Sequence, residues 1–343
     1  MATQPVASIV LPFRNSSRTL DRCLQSIVNQ DCKEWELIAV NDHSSDGSEK
    51  IIEQYSKSDT RILLLQTKGE GIVDALNYGI SKSKSEIIVR MDSDDRMYPH
   101  RVHAQIKYLE ANPKTGLIAS LVCYKTEKKS NFFGKGYSLY VDWSNAIQRS
   151  DEIELHQFEE CPLAHPSVAF RKSLLAMNGM YRKGDFPEDY ELWLRWLSKG
   201  VKMEKLKICL LDWYDTENRL SRQGTNYSQE AFQKVKAKYF CLWLKKQKLG
   251  KRKLAVWGTG RIARRQIKYL LENKIQIHRY FEIDPRKIGN EFDGVPISST
   301  DEITPAINEF IIVLTGKRGA KEQISEFLLE KKKEIGADFI FLV

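Results

Sequence analysis

The chain has no long apolar run. Nowhere in its 343 residues does a stretch approach the roughly 20 apolar residues that a membrane-spanning helix needs. The N-terminus, MATQPVASIVLPF, also lacks the basic region and apolar core of a secretory leader, so a cytoplasmic protein is expected. Cysteine is sparse: Cys23, Cys32, Cys123, Cys161, Cys209 and Cys241 are scattered without a CxxC pair. That spacing argues against zinc and predicts free thiols in a reducing compartment. No Lys/Arg block is interleaved with aromatics, so a nucleic-acid partner is not expected. The formal charge of +9 is moderate for this length. It fits anionic small ligands or peripheral contact with an anionic membrane surface, and does not choose between them. At this length two domains are expected.

What is there begins with alternation. Val6–Leu11 reads as a buried strand, Thr19–Gln30 as a helix with Leu20, Leu24, Ile27 and Val28 on one face, and Glu36–Val40 as a second strand running into the turn cluster NDHSSDGS. A helix around Glu49–Tyr55, a strand at Arg61–Gln66, a glycine-punctuated loop and a helix through Ala75–Ile80 follow. Such units predict an α/β fold with a mostly parallel sheet, helices on both faces, and a ligand site beyond the carboxyl ends of the strands. The chemically interesting residues fall at those ends: Pro12–Asn15, Asn41–Asp46, Lys68–Gly71 and Asp92–Asp95.

The last group lies in IIVRMDSDDRMYPHR, Ile87–Arg101, where a strand leads into Asp92, Asp94 and Asp95. Strand alternation turns Asp92 and Asp94 the same way, so their oxygens can converge on Mg²⁺ or Mn²⁺, and such a cation could hold a diphosphate. The alternative is a solvated turn, which Asp and Ser also favour.

From Leu117 onward shorter strands and irregular segments are expected, with Lys125–Tyr140 as a basic loop or hairpin. PEDYELWLRWLSKG reads as a helix burying Leu192, Trp193, Trp196 and Leu197 and stopped by Gly200; Asp185 and Glu188 stand at capping-box spacing. Ser228–Lys248 is a long connecting helix. After Gly250 the alternation restarts, with strands at Leu254–Trp257, Tyr280–Ile283, Ile311–Leu314 and Phe339–Val343. Gly258-x-Gly260-x-x-Ala263 opens a helix as a dinucleotide fingerprint does, and Glu282 and Asp284 fall where a ribose-binding acid would sit. Too little chain remains for a two-half site. This small domain either binds a nucleotide at Gly258, Gly260 and Asp284 or serves as a packing or oligomerising module. The expected division is 1–227, a connecting helix at 228–250, and 251–343.

In order, SIVLPFRN, VNDHSSDGS, GIVDALNYGI, RMDSDDRMYPHR, HPSVAFRKS and PEDYELWLR resemble the family 2 glycosyltransferases, inverting GT-A-fold enzymes with nucleotide-sugar donors. The resemblance covers about the first 225 residues. With the small Rossmann-like domain added, the layout is similar to that of the β-1,3-N-acetylglucosaminyltransferase-like proteins. The resemblance implies a catalytic base at Asp189, which would take the proton of an acceptor hydroxyl. It implies that Pro12 and Phe13 line the base pocket, with ordinary packing at a strand end as the alternative, that Asp42 accepts from the imide of uracil, with an Asx-turn as the alternative, that Asp92 reaches ribose and metal, and that Asp94 ligates Mn²⁺ or Mg²⁺. Asp95 would support these two. His165 and Glu188 would face acceptor or donor sugar, each with a structural alternative. Where many members carry Arg in the glycine-punctuated loop this chain has Leu76, so diphosphate contact is expected from Lys68 or Arg14. Where many carry Tyr-Arg-x-His it has Tyr214–Glu217, and Arg219 and Arg222 are the candidate cations instead. The implied partners are a UDP-sugar and a saccharide acceptor, joined in a β-linkage. Two other classes stand beside this: a non-catalytic nucleotide-sugar-binding or assembly protein, and an NAD-dependent oxidoreductase led by the glycine fingerprint.

Overall fold

The computed structural model describes residues 4–126, 135–216, 222, 224–247, 249–250, 252–315 and 319–342. They form two compact units, one of residues 1–153 and 162–227, the other of residues 154–161 and 228–343.

In the first unit β1 (Ala7–Phe13), β2 (Trp35–Asn41), β3 (Ile62–Gln66) and β4 (Ile87–Arg90) alternate with α1 (Leu20–Val28), α2 (Ser48–Ser58) and α3 (Ile72–Lys82). Every residue of β1 and β2 is buried. A strand covered on both faces must be apolar throughout, which ASIVLPF and WELIAVN nearly are. The four strands lie parallel in the order β3-β2-β1-β4. In register, Phe13 stands beside Asn41 and Asn41 beside Gln66, which brings the strand exits to one edge.

The second half of the sheet departs from expectation. β5 (Arg96–Met97) and α4 (Arg101–Ala111) are followed by β6 (Thr115–Thr126), and later by β7 (Ala169–Arg171) and β8 (Lys202–Asp215). β6 and β8 are long strands, of 12 and 14 residues, paired in parallel. β7 runs antiparallel between β4 and β6. Shorter strands were expected because charged residues interrupt the apolar pattern of β8. One of them, Lys205, is buried and donates to the carbonyl of Ser144. Lys135–Ala146 is a helix, α5, not part of a loop or hairpin, while residues 127–134 lie outside the described ones. Cys123 and Cys209, on these adjacent strands, form a disulfide. The expectation of six free thiols is corrected at this pair.

Helix α6 (Ser150–His156) includes residues assigned to each unit, and α7 (Ser173–Asn178) and α8 (Glu188–Ser198) belong to the first. α8 is fixed by Trp196 and Trp193 packed edge-on against Phe170, and by Arg195, which pairs with Glu191 and donates to the carbonyls of Asn178, Gly179 and Met180. Leu194, not Leu197, completes its buried face.

The second unit carries α9 (Gln229–Lys246), whose N-cap Ser228 accepts from the amide of Ala231. Its sheet contains β9 (Lys253–Trp257), β10 (Ile277–Glu282), β11 (Glu291–Phe292), β12 (Val295–Ser299), β13 (Glu309–Val313) and β14 (Phe339–Phe341), with α10 (Arg261–Glu272) and α11 (Ala320–Glu330). The order is β11-β12-β10-β9-β13-β14, parallel except for β11 against β12. This is one Rossmann-like half, with its strand order reversing at β9. Ala255, Trp257, Phe281, Ile311, Val313, Phe339 and Phe341 form its core. No described helix in either unit is long and apolar enough to cross a membrane.

Candidate active site

β4 ends at Arg90, so Asp92, Asp94 and Asp95 stand in the turn beyond it. The turn, not strand alternation, gathers them. One oxygen from each carboxylate lies within 4.8 Å of the others. Asp92 pairs with the buried Arg90 guanidinium. Asp94 accepts from the Thr216 hydroxyl at 3.4 Å, and its carbonyl accepts from Arg22 at 2.7 Å. Asp95 is fully buried and accepts from the amide of Tyr214 at 2.8 Å, while Arg22 stacks 3.5 Å over the Tyr214 ring. Tyr214 and Thr216 thus grip the aspartate turn. Clustered carboxylates are the hard oxygen donors that Mg²⁺ and Mn²⁺ take, so the donor set fits such an ion, which Asp92 and Asp94 could hold while one oxygen of Asp95 accepts from the backbone.

At the neighbouring strand exits, Asp42 is buried and accepts from the amide of Gly71 at 3.0 Å, with Arg14 3.7 Å from its other oxygen. It does not close a local turn. That is done by Asn41, which accepts from Ser44, and by Asp46, which accepts from Ser48. Arg14 also approaches Glu70 at 3.6 Å, and Lys68 is exposed nearby in sequence. Phe13 is only 2% exposed and belongs to the core beneath the sheet; Pro12 is buried beside it in β1.

The third element is the start of α8. The helix is capped by Pro187 with no side-chain cap bond, so the capping box expected of Asp185 and Glu188 does not form. Glu188 instead accepts from the Tyr227 hydroxyl at 2.5 Å. Asp189, with 20% of its side chain exposed, accepts from the amide of Tyr190. Burial pushes both carboxyls well above the usual carboxylate range. The neighbouring charge of Asp189 adds to this for Glu188, and Arg90 opposes it for both. A proton therefore stays on this pair at a pH where isolated carboxyls have lost theirs.

His165 is buried between these groups. Its Nε2 lies 2.8 Å from the Tyr181 hydroxyl, and its Nδ1 lies 3.9 Å from Glu188 and 4.0 Å from Asp189. Burial, and then Arg90, drive its pKa well below the ordinary value, so the ring is neutral and these approaches are not ion pairs. Arg222 is engaged elsewhere: it donates to Asp215 at 2.6 and 2.7 Å and lies over the Tyr137 ring. Arg219 lies outside the described residues. Arg90, Tyr181 and Tyr227 went unassigned in the sequence. Arg90 stood inside RMDSDD, but only the fold shows that its charge reaches Asp92, Glu188 and Asp189 together.

In the second unit Glu282 folds back onto the glycine turn, accepting from the Thr259 hydroxyl at 2.7 Å, the Thr259 amide at 3.2 Å and Lys287 at 3.0 Å. Asp284 is held by Arg286. Both acids that stood where a ribose would bind are committed within the chain.

Residues 8–176 match the family model described as Glycosyl transferase family 2. An uncharacterized glycosyltransferase of Haemophilus influenzae is 28% identical over 196 residues, 56% of this chain and 60% of that protein. The chain therefore spans less than two thirds of that relative. The amylovoran biosynthesis glycosyltransferase AmsE of Erwinia amylovora is 27% identical over 237 residues, 67% of this chain and 85% of its own length. Among solved structures, S. aureus TarS 1–349 in complex with UDP-GlcNAc superposes with a TM-score of 0.49 at 14% identity, covering 71% of this chain and 74% of that one.

Proposed function

We propose that this chain, whose residues 8–176 match the family 2 glycosyl transferase model, moves a sugar, with inversion, from a UDP-sugar to a hydroxyl of a saccharide acceptor, giving a β-linkage. The observation that carries this is the pairing of two carboxylate groups of opposite character around one buried cation. The aspartate turn is held by an ion pair and a backbone hydrogen bond, while the Glu188–Asp189 pair is raised by burial, and Arg90 acts on the charge of both.

Asp189 keeps a partly exposed face and a pKa lifted toward neutrality, as a general base needs. It takes the proton as the acceptor oxygen bonds to the anomeric carbon. The bond from that carbon to the diphosphate oxygen breaks, and the nucleoside diphosphate leaves with the electron pair. His165, neutral, lies beside the carboxylate pair without competing for its proton. Asp42 and Gly71 bound the base side of the donor pocket, and Arg14 and Lys68 supply positive charge near the phosphates. A divalent ion on Asp92 and Asp94 would stabilise the charge that builds up on the departing diphosphate.

The test is thermal melting with UDP-, GDP- and dTDP-sugars and NADH, each with Mn²⁺ and with EDTA. A ligand at a hundred times its dissociation constant stabilises by about 2.7 kcal/mol. A shift with one UDP-sugar that EDTA abolishes, and that Asp94→Asn removes, supports the reading. A shift with NADH alone overturns it in favour of the oxidoreductase.

A further inference from the structure

The positive charge of this chain is not spread along it. Residues 1–227 hold 31 Lys and Arg against 31 Asp and Glu. Residues 228–274 hold 14 against 2, and residues 275–343 hold 9 against 12. The excess is thus confined to the segment of α9, β9 and α10. An asymmetry of this size marks a surface meant for an anionic partner.

The fold places much of it on one face of the second unit. Along α10, Arg261, Arg265 and Lys268 follow at helical spacing and are exposed. Along α9, Lys234 and Lys238 are exposed one turn apart. The two helices run side by side in the same direction. Arg265 donates to Gln229 at 3.3 Å, Gln266 to the carbonyl of Gln233 at 3.4 Å, and Lys234 and Lys268 approach the same Tyr269 ring at 6.0 and 5.8 Å. Two carboxylates share the face: Glu230, 2.9 Å from Lys234, and Glu272, 3.9 Å from Lys268. Five cations against two anions leave the ridge positive. Leu242 and Leu271 lie exposed on these helices, at 41% and 42%.

We propose that this face docks on the surface of an anionic phospholipid bilayer, its Lys and Arg on headgroup phosphates and Leu242 and Leu271 entering the interface. Charge alone would suit any polyanion. Exposed leucines gain nothing on a nucleic-acid backbone, but on a bilayer they add apolar burial to the electrostatic attraction. Docking does not depend on the proposed transfer reaction, and its failure would leave that reading standing.

Sedimentation of the full chain with vesicles tests it, using phosphatidylglycerol mixed into phosphatidylcholine, phosphatidylcholine alone, and a DNA duplex as competitor. The expected result is binding to the anionic vesicles only, weakening as NaCl rises from about 0.05 to 0.5 M. The triple variant Arg261→Gln, Arg265→Gln, Lys268→Gln should lose affinity by at least about tenfold. A charge-matched control, Lys57→Gln, Lys107→Gln, Lys114→Gln, should lose little, with both variants first shown to melt as the parent does. Equal loss in the control, salt-insensitive binding to neutral vesicles, or displacement by a DNA duplex that the same triple variant fails to bind would each overturn the assignment.

Discussion

Arg90 and Asp92 form an ion pair in which the cation is fully buried and the carboxylate keeps a quarter of its side chain exposed. Burial works against the guanidinium's charge, and Asp92, with smaller contributions from Tyr181 and Glu188, more than offsets it. The same cation pulls down the carboxyls of Glu188 and Asp189. Arg90→Gln is therefore predicted to raise the pKa of that pair further. The acid limb of kcat should move to higher pH while the variant still folds by circular dichroism. An unmoved limb would show that the guanidinium does not set the protonation of the pair.

As the proposed base, Asp189 must be ionised to accept a proton, and burial pushes it up to about 6. Activity in the parent should rise with pH through that region and level off above it. Asp189→Asn is predicted to lower kcat by about 10²- to 10⁴-fold with the donor dissociation constant within about twofold of the parent. Turnover that survives the substitution would remove Asp189 from the mechanism.

Glu188 gives a stability prediction of definite sign. Its folded pKa, about 7, lies above the ordinary 4.5, so the folded state holds the proton more tightly than the unfolded chain does. Its contribution is intact below about pH 4.5 and is lost as pH rises through about 7. Glu188→Gln keeps an oxygen to accept from Tyr227 but cannot ionise. The melting temperature of the variant relative to the parent should therefore climb between pH 5 and about 8, and a constant difference across that range would contradict the buried-carboxyl account.

The two fingerprint glycines of the second unit should respond differently. Gly258 has φ +108, and a Cβ there would meet the carbonyl oxygen of Leu314 at 2.8 Å; a Cβ on Gly260, the N-cap of α10 with φ −69, meets nothing within 4 Å. Gly258→Ala is predicted to destabilise by more than about 1 kcal/mol, and Gly260→Ala to stay within about 0.5 kcal/mol of the parent. Calorimetry on the full chain reads both. Equal effects would mean that the glycine turn is not held by the backbone of β13 and its exit.

The strand exits were legible because a parallel sheet announces itself twice, in its apolar runs and in the polar residues just beyond them. Asp42, Asp92 and Asp94 were singled out in that way, and Asp189 by resemblance. What sequence could not supply was pairing across the chain. β8 was hidden because Lys205 and Glu204 break its apolar pattern while bonding inside the unit, to Ser144 and Thr115. Asp185 and Glu188 had the spacing of a cap, yet Pro187 starts the helix and Tyr227, 39 residues away, takes the carboxylate. Arg90 went unassigned, since nothing local distinguishes a cation that will face two sets of carboxylates. The acids of the second unit, Glu282 and Asp284, were correctly located at a strand end, but their partners Thr259 and Arg286 could not be read from spacing alone.

The bond from the amide of Tyr214 to Asp95 makes one backbone proton a reporter on the aspartate turn. A cation that draws charge from these carboxylates weakens Asp95 as an acceptor, and the Tyr214 amide signal should shift upfield in an NMR titration with Mg²⁺. Its position on β8 lets occupancy of the turn be followed from a strand end, in the intact chain and without any sugar donor or turnover.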